Sequence, residues 1–357
     1  MAQAIFWTAL VGIAYVYAGY PILLLAWRAS SRRSVRKQRQ EPSVSLVIAM
    51  RNERKNVQTK IQNCLDLDYP RDKLQVIISL DAPTDGTEIL VRNFAGSGVE
   101  TVYSPVHRGK AEALNSGVAA ATGEIVVFAD SRQQFERGAV RELVANFADA
   151  SVGAVSGELV LLDERGKESS DATGAYWRYE KKLRALESDI HSVPGATGAI
   201  YAIRRELFSQ LTAGTILDDV VLPMRIAFAG KRVIFEPAAR AYEYAGQSPI
   251  SEYERKVRTL AGNYQLLAQM PELLSPRRNP IFVQFVSHKV GRLIVPFCLA
   301  ALFISNLFLP YGIYLAVLFG QVLFYALAGA GWFVATYDAR TREATTAATW
   351  AEREKCL

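Results

Sequence analysis

SVSLVIAMRNE, residues 43–53, is a run of mostly apolar residues that ends abruptly in arginine, asparagine and glutamate. A strand wetted on one face alternates apolar and polar residues, whereas a strand buried on both faces reads as a continuous apolar run. Outward from this strand the pattern repeats. Glu53 to Leu67 has helical spacing, and Leu74 to Leu80 (LQVIISL), Val99 to Tyr103 and Glu124 to Ala129 (EIVVFA) read as further strands. Thr87 to Ala95, Lys110 to Ala120 and Gly138 to Ala148 read as helices. This alternation builds a mostly parallel sheet with right-handed crossovers. Ligands of such sheets sit beyond the carboxyl ends of the strands, so the polar residues just after each strand are the candidates for chemistry.

After the first strand stands Arg51-Asn52-Glu53, with no G-x-G-x-x-G, which removes most support for a dinucleotide site. His107-Arg108-Gly109-Lys110 is a poor phosphate loop: Ser104 stands where the earlier glycine belongs, and Ala111 replaces the required Ser or Thr. After the second strand, Asp81-Ala-Pro-Thr84-Asp85-Gly86-Thr87 is, by itself, an acidic turn with Thr84 or Asp85 as helix cap. Asp130 in Phe128-Ala-Asp130-Ser131-Arg132 is, by itself, a strand-end cap or turn residue. Asp218-Asp219, before the apolar run to Pro223, is, by itself, a helix N-terminus satisfying the dipole. The combination says more. Carboxylates at three such edges suit a substrate whose diphosphate needs a divalent cation, together with a base for a hydroxyl nucleophile.

The composition sets this domain in a membrane protein. Of 357 residues half are hydrophobic and 21% charged, the net charge is +6, and the mean hydropathy is +0.08 with a pI near 9.1. Collagen, disorder and a disulfide scaffold are excluded. Cys64, Cys298 and Cys356 lie far apart, and there are three histidines, so thiol, zinc or histidine-rich metal chemistry has little support. Ala4 to Trp27 carries no charge and as a helix would span roughly 36 Å. A basic cluster, Arg28 to Arg39, follows it, the reverse of a secretory signal peptide. The positive-inside rule puts the N-terminus outside and the chain after Arg28 in the cytoplasm. A second apolar region is divided by Asn306 and the turn Leu309-Pro310-Tyr311-Gly312 into spans over 293–309 and 313–334, with Trp332 and Tyr337 suiting an interfacial belt. Asn279 to Gly291 reads as an amphipathic segment on the membrane surface or as a buried soluble helix. The expected organisation is a transmembrane helix over 1–27, a basic juxtamembrane linker over 28–41 and an α/β domain over 42–269. An interfacial segment over 270–291, two transmembrane helices within 292–336 and a polar cytoplasmic tail over 337–357 complete it. Membrane orientation accounts for the basic excess, so no nucleic-acid partner is expected.

Seven motifs stand in the order of family 2 glycosyltransferases. They are Arg51-Asn52-Glu53, Asp81-x-x-Thr84-Asp85-Gly86-Thr87, Gly109-Lys110-x-x-Ala113-Leu114-Asn115, Phe128-x-Asp130, Thr197-Gly198-Ala199, Asp218-Asp219 and Arg255-Lys256-Val257-Arg258. From Pro42 to about Ala335 the chain resembles the cellulose-synthase-like, hyaluronan-synthase-like membrane branch. The resemblance implies a GT-A fold, a Rossmann-like, mostly parallel sheet. It implies inverting transfer of a sugar from a nucleotide diphosphate, usually UDP, to a glycan or lipid-linked acceptor. The implied setting is polysaccharide or glycolipid assembly at a bacterial inner membrane, with the catalytic domain in the cytoplasm and partner subunits in the bilayer.

Carried over by position, Asp81 would contact the nucleoside base, and Asn52, Glu53, Asp85, Lys110 and Arg132 would line the nucleotide and diphosphate pocket. Asp130 would hold Mg²⁺ or Mn²⁺, Asp219 beside Asp218 would be the general base, and Arg255 and Arg258 would clamp the diphosphate. Gly195, Thr197, Gly198 and Ala199 would border the acceptor. Two positions depart from the pattern. The family's Asp-x-Asp is Asp130-Ser131-Arg132 here, and arginine cannot ligate a cation, so weaker metal affinity is expected, with Arg132 supplying charge directly to phosphate. The Gln-x-x-Arg-Trp of processive polymerases is replaced by Arg255-Lys256-Val257-Arg258-Thr259, which removes the ring that stacks on the acceptor sugar. Two other readings stay open: a catalytically weak nucleotide-sugar-binding assembly or regulatory subunit, and a membrane-anchored nucleotidyltransferase, which would lack a basic phosphate loop.

Overall fold

The computed structural model describes residues 1–163, 165–168, 172–244, 249–309 and 311–354, so Pro310 of the expected turn and Cys356 lie outside the described residues. The chain divides into two compact units. The larger, Pro21–Ala245 with Gly262–Lys289, is built on an eight-stranded sheet. Strand β1 (Val44–Met50) lies between β2 (Leu74–Asp81) and β4 (Ile125–Ala129), parallel to both, and β3 (Val99–Ser104) continues the parallel half outside β2. These are the four strands expected from the sequence. Leu46, Val47, Ile48, Ile77, Val126 and Val127 are wholly buried, which is why both faces of these strands had to be apolar. Each such side chain contributes roughly 1.5–3 kcal/mol on burial.

The other half of the sheet is mixed. β5 (Gln134–Phe135), β6 (Val152–Leu162), β7 (Ile200–Arg204) and β8 (Arg232–Tyr244) give the order β3-β2-β1-β4-β7-β6-β8-β5. β7 is antiparallel to both β4 and β6, while β6 and β8 are parallel. The β6–β8 register shifts between Ser156 and Glu158. A Cβ on Gly157 would stand 2.5 Å from the Ala239 carbonyl oxygen, so only glycine allows the two backbones this approach.

The basic stretch after residue 27 is packed onto this unit. Arg28 pairs with Asp189 at 2.5 Å, the Arg36 amide donates to Asp149, and Lys37 pairs with Glu142 and Glu236 at 2.5 and 2.9 Å. Burial opposes the Lys37 charge, but the two carboxylates outweigh it and raise its pKa.

The smaller unit comprises Met1–Tyr20, Gly246–Ala261 and Val290–Leu357. Within it, Ala2–Ala14 packs on Gly291–Asn306 around Phe6, Ala9, Leu302, Leu309 and Tyr314. Three helical stretches among the described residues are long and apolar enough to cross a membrane: Ala2–Ser30, Phe282–Asn306 and Gly312–Val334. Their outward side chains, among them Val11, Ile22, Phe297 and Phe319, are exposed hydrophobics of the kind lipid covers. The second stretch begins at Phe282, inside the segment read as interfacial, because nothing from Phe282 to Gly291 breaks the helix. Along Pro249–Gln269, Ile250, Tyr253, Val257, Leu260 and Tyr264 repeat at three-and-four spacing and are all exposed.

Candidate active site

Several polar residues converge beyond the carboxyl ends of β2 and β4. Asp130 follows the last residue of β4, and Lys110 opens the helix Lys110–Ala119 directly after Gly109 at φ 91°. Lys110 Nζ lies 2.9 Å from Asp130 Oδ1 and 3.1 Å from Asp218 Oδ1. Burial opposes the Lys110 charge, but Asp130 and Asp218 more than offset it, and its pKa is raised.

Asp218 and Asp219 are the first two residues of the helix Asp218–Phe228, where carboxylates meet the positive end of the helix dipole. Asp218 is buried and accepts a 3.1 Å hydrogen bond from the Tyr201 hydroxyl. Tyr201, on β7, stacks on Phe128 of β4 with centroids 4.7 Å apart, so the aromatic core fixes the hydroxyl. Asp219 keeps part of its surface accessible. Its Oδ2 accepts the Gly198 N–H at 3.1 Å and its main-chain oxygen the Ala196 N–H at 2.6 Å. A Cβ on Gly198 would lie 3.2 Å from Asp219 Oδ2 and 3.7 Å from Asp130 Oδ2, so the bare glycine lets both carboxylates close over one spot. Desolvation, then the Asp218 charge, push the Asp219 carboxyl up to about 6, against the pull of Lys110 and Lys289.

The residues expected around the nucleotide occupy the adjoining strand ends. Asp81 closes β2 and is buried; its oxygens accept the Arg108 and Gly109 N–H groups at 2.7 and 2.9 Å and meet His107 Nδ1 at 2.6 Å. Burial raises its pKa, but these hydrogen bonds prevail and hold the carboxyl below its usual value. Asp85 accepts from the amide and hydroxyl of Thr87 and from the Arg54 amide, holding the turn before the helix Thr87–Arg92, whose N-cap is Gly86 and not Thr84 or Asp85 as expected. Asn52, at φ 53°, accepts the Thr84 amide, and the Glu53 amide donates to Thr87 Oγ1. The Glu53 carboxylate takes the Asn56 amide at 2.7 Å and stands 3.7 Å from the exposed Arg132. Arg255 and Arg258 belong to the smaller unit, where Arg255 pairs with Glu252.

On the other side of Asp219 runs the loop Gly195 to Ala199. Gly195 has φ 142°, and the Thr197 amide donates to Ser156 Oγ at 3.0 Å. Beneath it Arg184, on the helix Ala172–Ile190, donates to Thr197 Oγ1, Ser156 Oγ and the Gly195 carbonyl. Sequence reading missed Arg184, Tyr201 and Ser156. It also missed the buried cluster in which His288 Nδ1 and Nε2 meet Glu187 and Glu180 at 2.8 and 3.2 Å. The available signal was the spacing of Glu180, Arg184 and Glu187, which puts all three on one face of a helix.

No group of three His, Cys, Asp or Glu side chains is arranged as a metal cage among the described residues. The donor set still suits Mg²⁺ or Mn²⁺. Such hard cations are held in phosphoryl sites by one or two carboxylates plus substrate phosphate oxygens, and Asp130 and Asp219 bring carboxylate oxygens beside Gly198.

Residues 45–212 match the family model described as Glycosyl transferase family 2. Over 312 residues the chain is 25% identical to "Probable glycosyltransferase YdaM" of Bacillus subtilis, covering 80% of this chain and 71% of that one. Over 246 residues it is 23% identical to poly-beta-1,6-N-acetyl-D-glucosamine synthase of Staphylococcus aureus, covering 67% of this chain and 59% of that protein's length. Among solved structures it is similar to the mannosyltransferase PcManGT of Pyrobaculum calidifontis in complex with GDP-Man and Mn²⁺. The TM-score is 0.73, the identity 26%, and the match covers 94% of this chain and 95% of the other.

Proposed function

We infer that this glycosyltransferase, a GT-A enzyme whose residues 45–212 match the family 2 model, moves a sugar from a nucleoside-diphosphate donor, UDP-linked as the family resemblance implies, to an acceptor hydroxyl with inversion. The observation that carries the reading is the convergence of Asp130, Asp218 and Asp219 on Lys110 at the carboxyl edge of the sheet. Asp219, with its proton affinity raised to about 6, suits a general base working near neutral pH. It takes the acceptor proton as that oxygen attacks the anomeric carbon from the face opposite the departing diphosphate. Lys110 holds Asp218 and Asp130 in place and brings positive charge to the diphosphate side. Asp130 would hold Mg²⁺ or Mn²⁺, which when bound neutralises charge developing on the leaving group. Arg132, exposed and only 3.7 Å from Glu53, adds a bidentate phosphate donor where the second aspartate is missing.

The acceptor is a glycan or a lipid-linked sugar at the bilayer, supported by the three membrane-length helices and the exposed apolar stripe of Pro249–Gln269. The basic residues after Arg28 favour a cytoplasmic catalytic unit at a bacterial inner membrane. Membranes bearing the protein, supplied with labelled UDP-sugars and GDP-mannose as comparison, will release nucleoside diphosphate and form a labelled product with one donor and Mn²⁺. No release with any donor, at any metal, overturns the reading.

A further inference from the structure

We propose that Arg184 is a positioning residue for sugar transfer: its guanidinium fixes the loop from Gly195 to Gly198, and through that loop the carboxylate of Asp219. The proposal rests on the reading of Asp219 as the base. Arg184 is not within hydrogen-bond reach of Asp219 in this network. It donates instead to three acceptors that surround the loop: Thr197 Oγ1, the Gly195 carbonyl at 3.0 Å and Ser156 Oγ at 3.1 Å. Ser156, wholly buried beside the register shift at Gly157, accepts the Thr197 amide at 3.0 Å and so relays the same constraint. The loop then makes two bonds to Asp219, from Ala196 N–H to its main-chain oxygen and from Gly198 N–H to its carboxylate. A planar fork of five donors can engage three acceptors at once; an ammonium cannot do so in the same geometry.

The guanidinium is held from behind. It lies over the Phe235 ring, 5.3 Å from its centroid. Glu180 and Glu187, one turn to either side on the same helix face, both engage His288. Taking such a row of charges out of water is costly unless the charges are paired and hydrogen-bonded, as they are here with His288 and the loop. None of these contacts reaches Asp81, Asp85 or Glu53, so loosening the loop should spare nucleotide binding while misplacing the base. Displacing a reacting group by about 1 Å costs on the order of 10²-fold in rate.

The test uses the full-length enzyme in detergent or nanodiscs. Binding of UDP and of GDP with Mn²⁺ is measured by calorimetry, and kcat and donor KM with whichever sugar nucleotide the wild type turns over. Arg184→Met is expected to lower kcat by about 10–100-fold. The nucleoside-diphosphate Kd and the donor KM should stay within about twofold, since no bond of Arg184 touches that side. Arg184→Lys should recover part of the loss, and Ser156→Ala, which leaves the cation in place, should lower kcat by a few-fold with the same unchanged Kd. Should Arg184→Met fail to fold, the lysine and Ser156 variants carry the same kcat-against-Kd comparison. Wild-type kcat in the folded variants, or a fall in kcat matched by an equal fall in nucleotide affinity, overturns the proposal. Asp219→Asn, run in parallel, separates the two readings. If it transfers normally, the base assignment fails; if it is inactive while Arg184→Met turns over normally, only the positioning role fails.

Discussion

Asp219→Asn is the sharpest perturbation of this site. Asparagine keeps the shape and can still accept the Gly198 amide that Asp219 Oδ2 accepts at 3.1 Å, but it carries no charge and is no base. If Asp219 removes the acceptor proton, the rate falls by about 10²–10⁴-fold, the usual contribution of a positioned general base. The same substitution should make the fold more stable. Desolvation and Asp218 push the Asp219 carboxyl from 3.8 to about 6. A raised folded-state value means that the ionised form is disfavoured by the fold. Below about pH 3 the group is protonated in both states and has no effect. Above about pH 6 it is ionised in both, and the two-unit difference costs up to about 3 kcal/mol of stability. The asparagine variant escapes that cost, so it should match the wild type at pH 3 and exceed it at pH 8 in denaturant midpoint, while binding UDP or GDP at least as tightly. The wild-type rate should rise through an acid limb near pH 6. Normal transfer by the variant, or a variant less stable than the wild type at pH 8, would refute the assignment.

Four further outcomes are expected. Lys110→Met strips the cation that Asp130 and Asp218 share, and nucleoside-diphosphate affinity by calorimetry should fall by at least about tenfold, the worth of one charged hydrogen bond. Gly198→Ala inserts a Cβ 3.2 Å from Asp219 Oδ2, so kcat in a turnover assay should drop by about tenfold with the fold and the nucleotide Kd unchanged. Asp85→Ala removes the turn bonds to Thr87 and Arg54, which should cost about 1 kcal/mol in denaturant unfolding and leave the nucleotide Kd within about twofold; a larger loss of affinity would make Asp85 a donor ligand. Cysteines placed singly at Gln3 and at Gln38, in a background without the native thiols, should label from opposite sides of the membrane, the second from the cytoplasm.

The parallel half of the sheet was legible because strands buried on both faces leave apolar runs that nothing else in a water-soluble unit explains. The mixed half was not. β6 carries Gly153, Gly157 and Glu158 inside it, and β8 carries Pro237 and Arg240, so neither reads as a strand by period or by continuity. Asp130, Asp218 and Asp219 were legible as candidates because each stands beside an apolar run, Lys110 only through the family resemblance, and the fold brings the four together. Asp85 was singled out for the same reason, and its three hydrogen bonds hold the turn between Arg54 and Thr87. Arg184 escaped notice because Glu180, Arg184 and Glu187 look like one solvated helical face, and only the strand and loop packed beneath reveal that this face is turned inward.

On the proposed reading, the balance of charge gives a reason for a cation on the donor although arginine stands where the family's second aspartate would be. Three carboxylates, Asp130, Asp218 and Asp219, stand around Lys110, which is already shared between two of them, while Lys289 adds a smaller pull on Asp219. A sugar diphosphate brings two more negative charges to that edge. At about 4 Å two like charges repel by roughly 4 kcal/mol in the effective dielectric of a protein surface, more than one hydrogen bond repays. Arg132 can relieve part of this repulsion, since it is exposed and held only by a 3.7 Å approach to Glu53, but one mobile guanidinium does not balance the excess. Protonating Asp219 would lower the negative charge and destroy the base in the same step. On that reading, Asp219 stays ionised and the diphosphate is admitted if Asp130 would hold a divalent ion that supplies positive charge to the phosphates. Its affinity then belongs mainly to the nucleotide, so Mn²⁺ should bind measurably tighter in the presence of UDP or GDP than without either. Equal Mn²⁺ affinity with and without nucleotide would mean that the protein holds the ion by itself, which a single carboxylate at Asp130 cannot do.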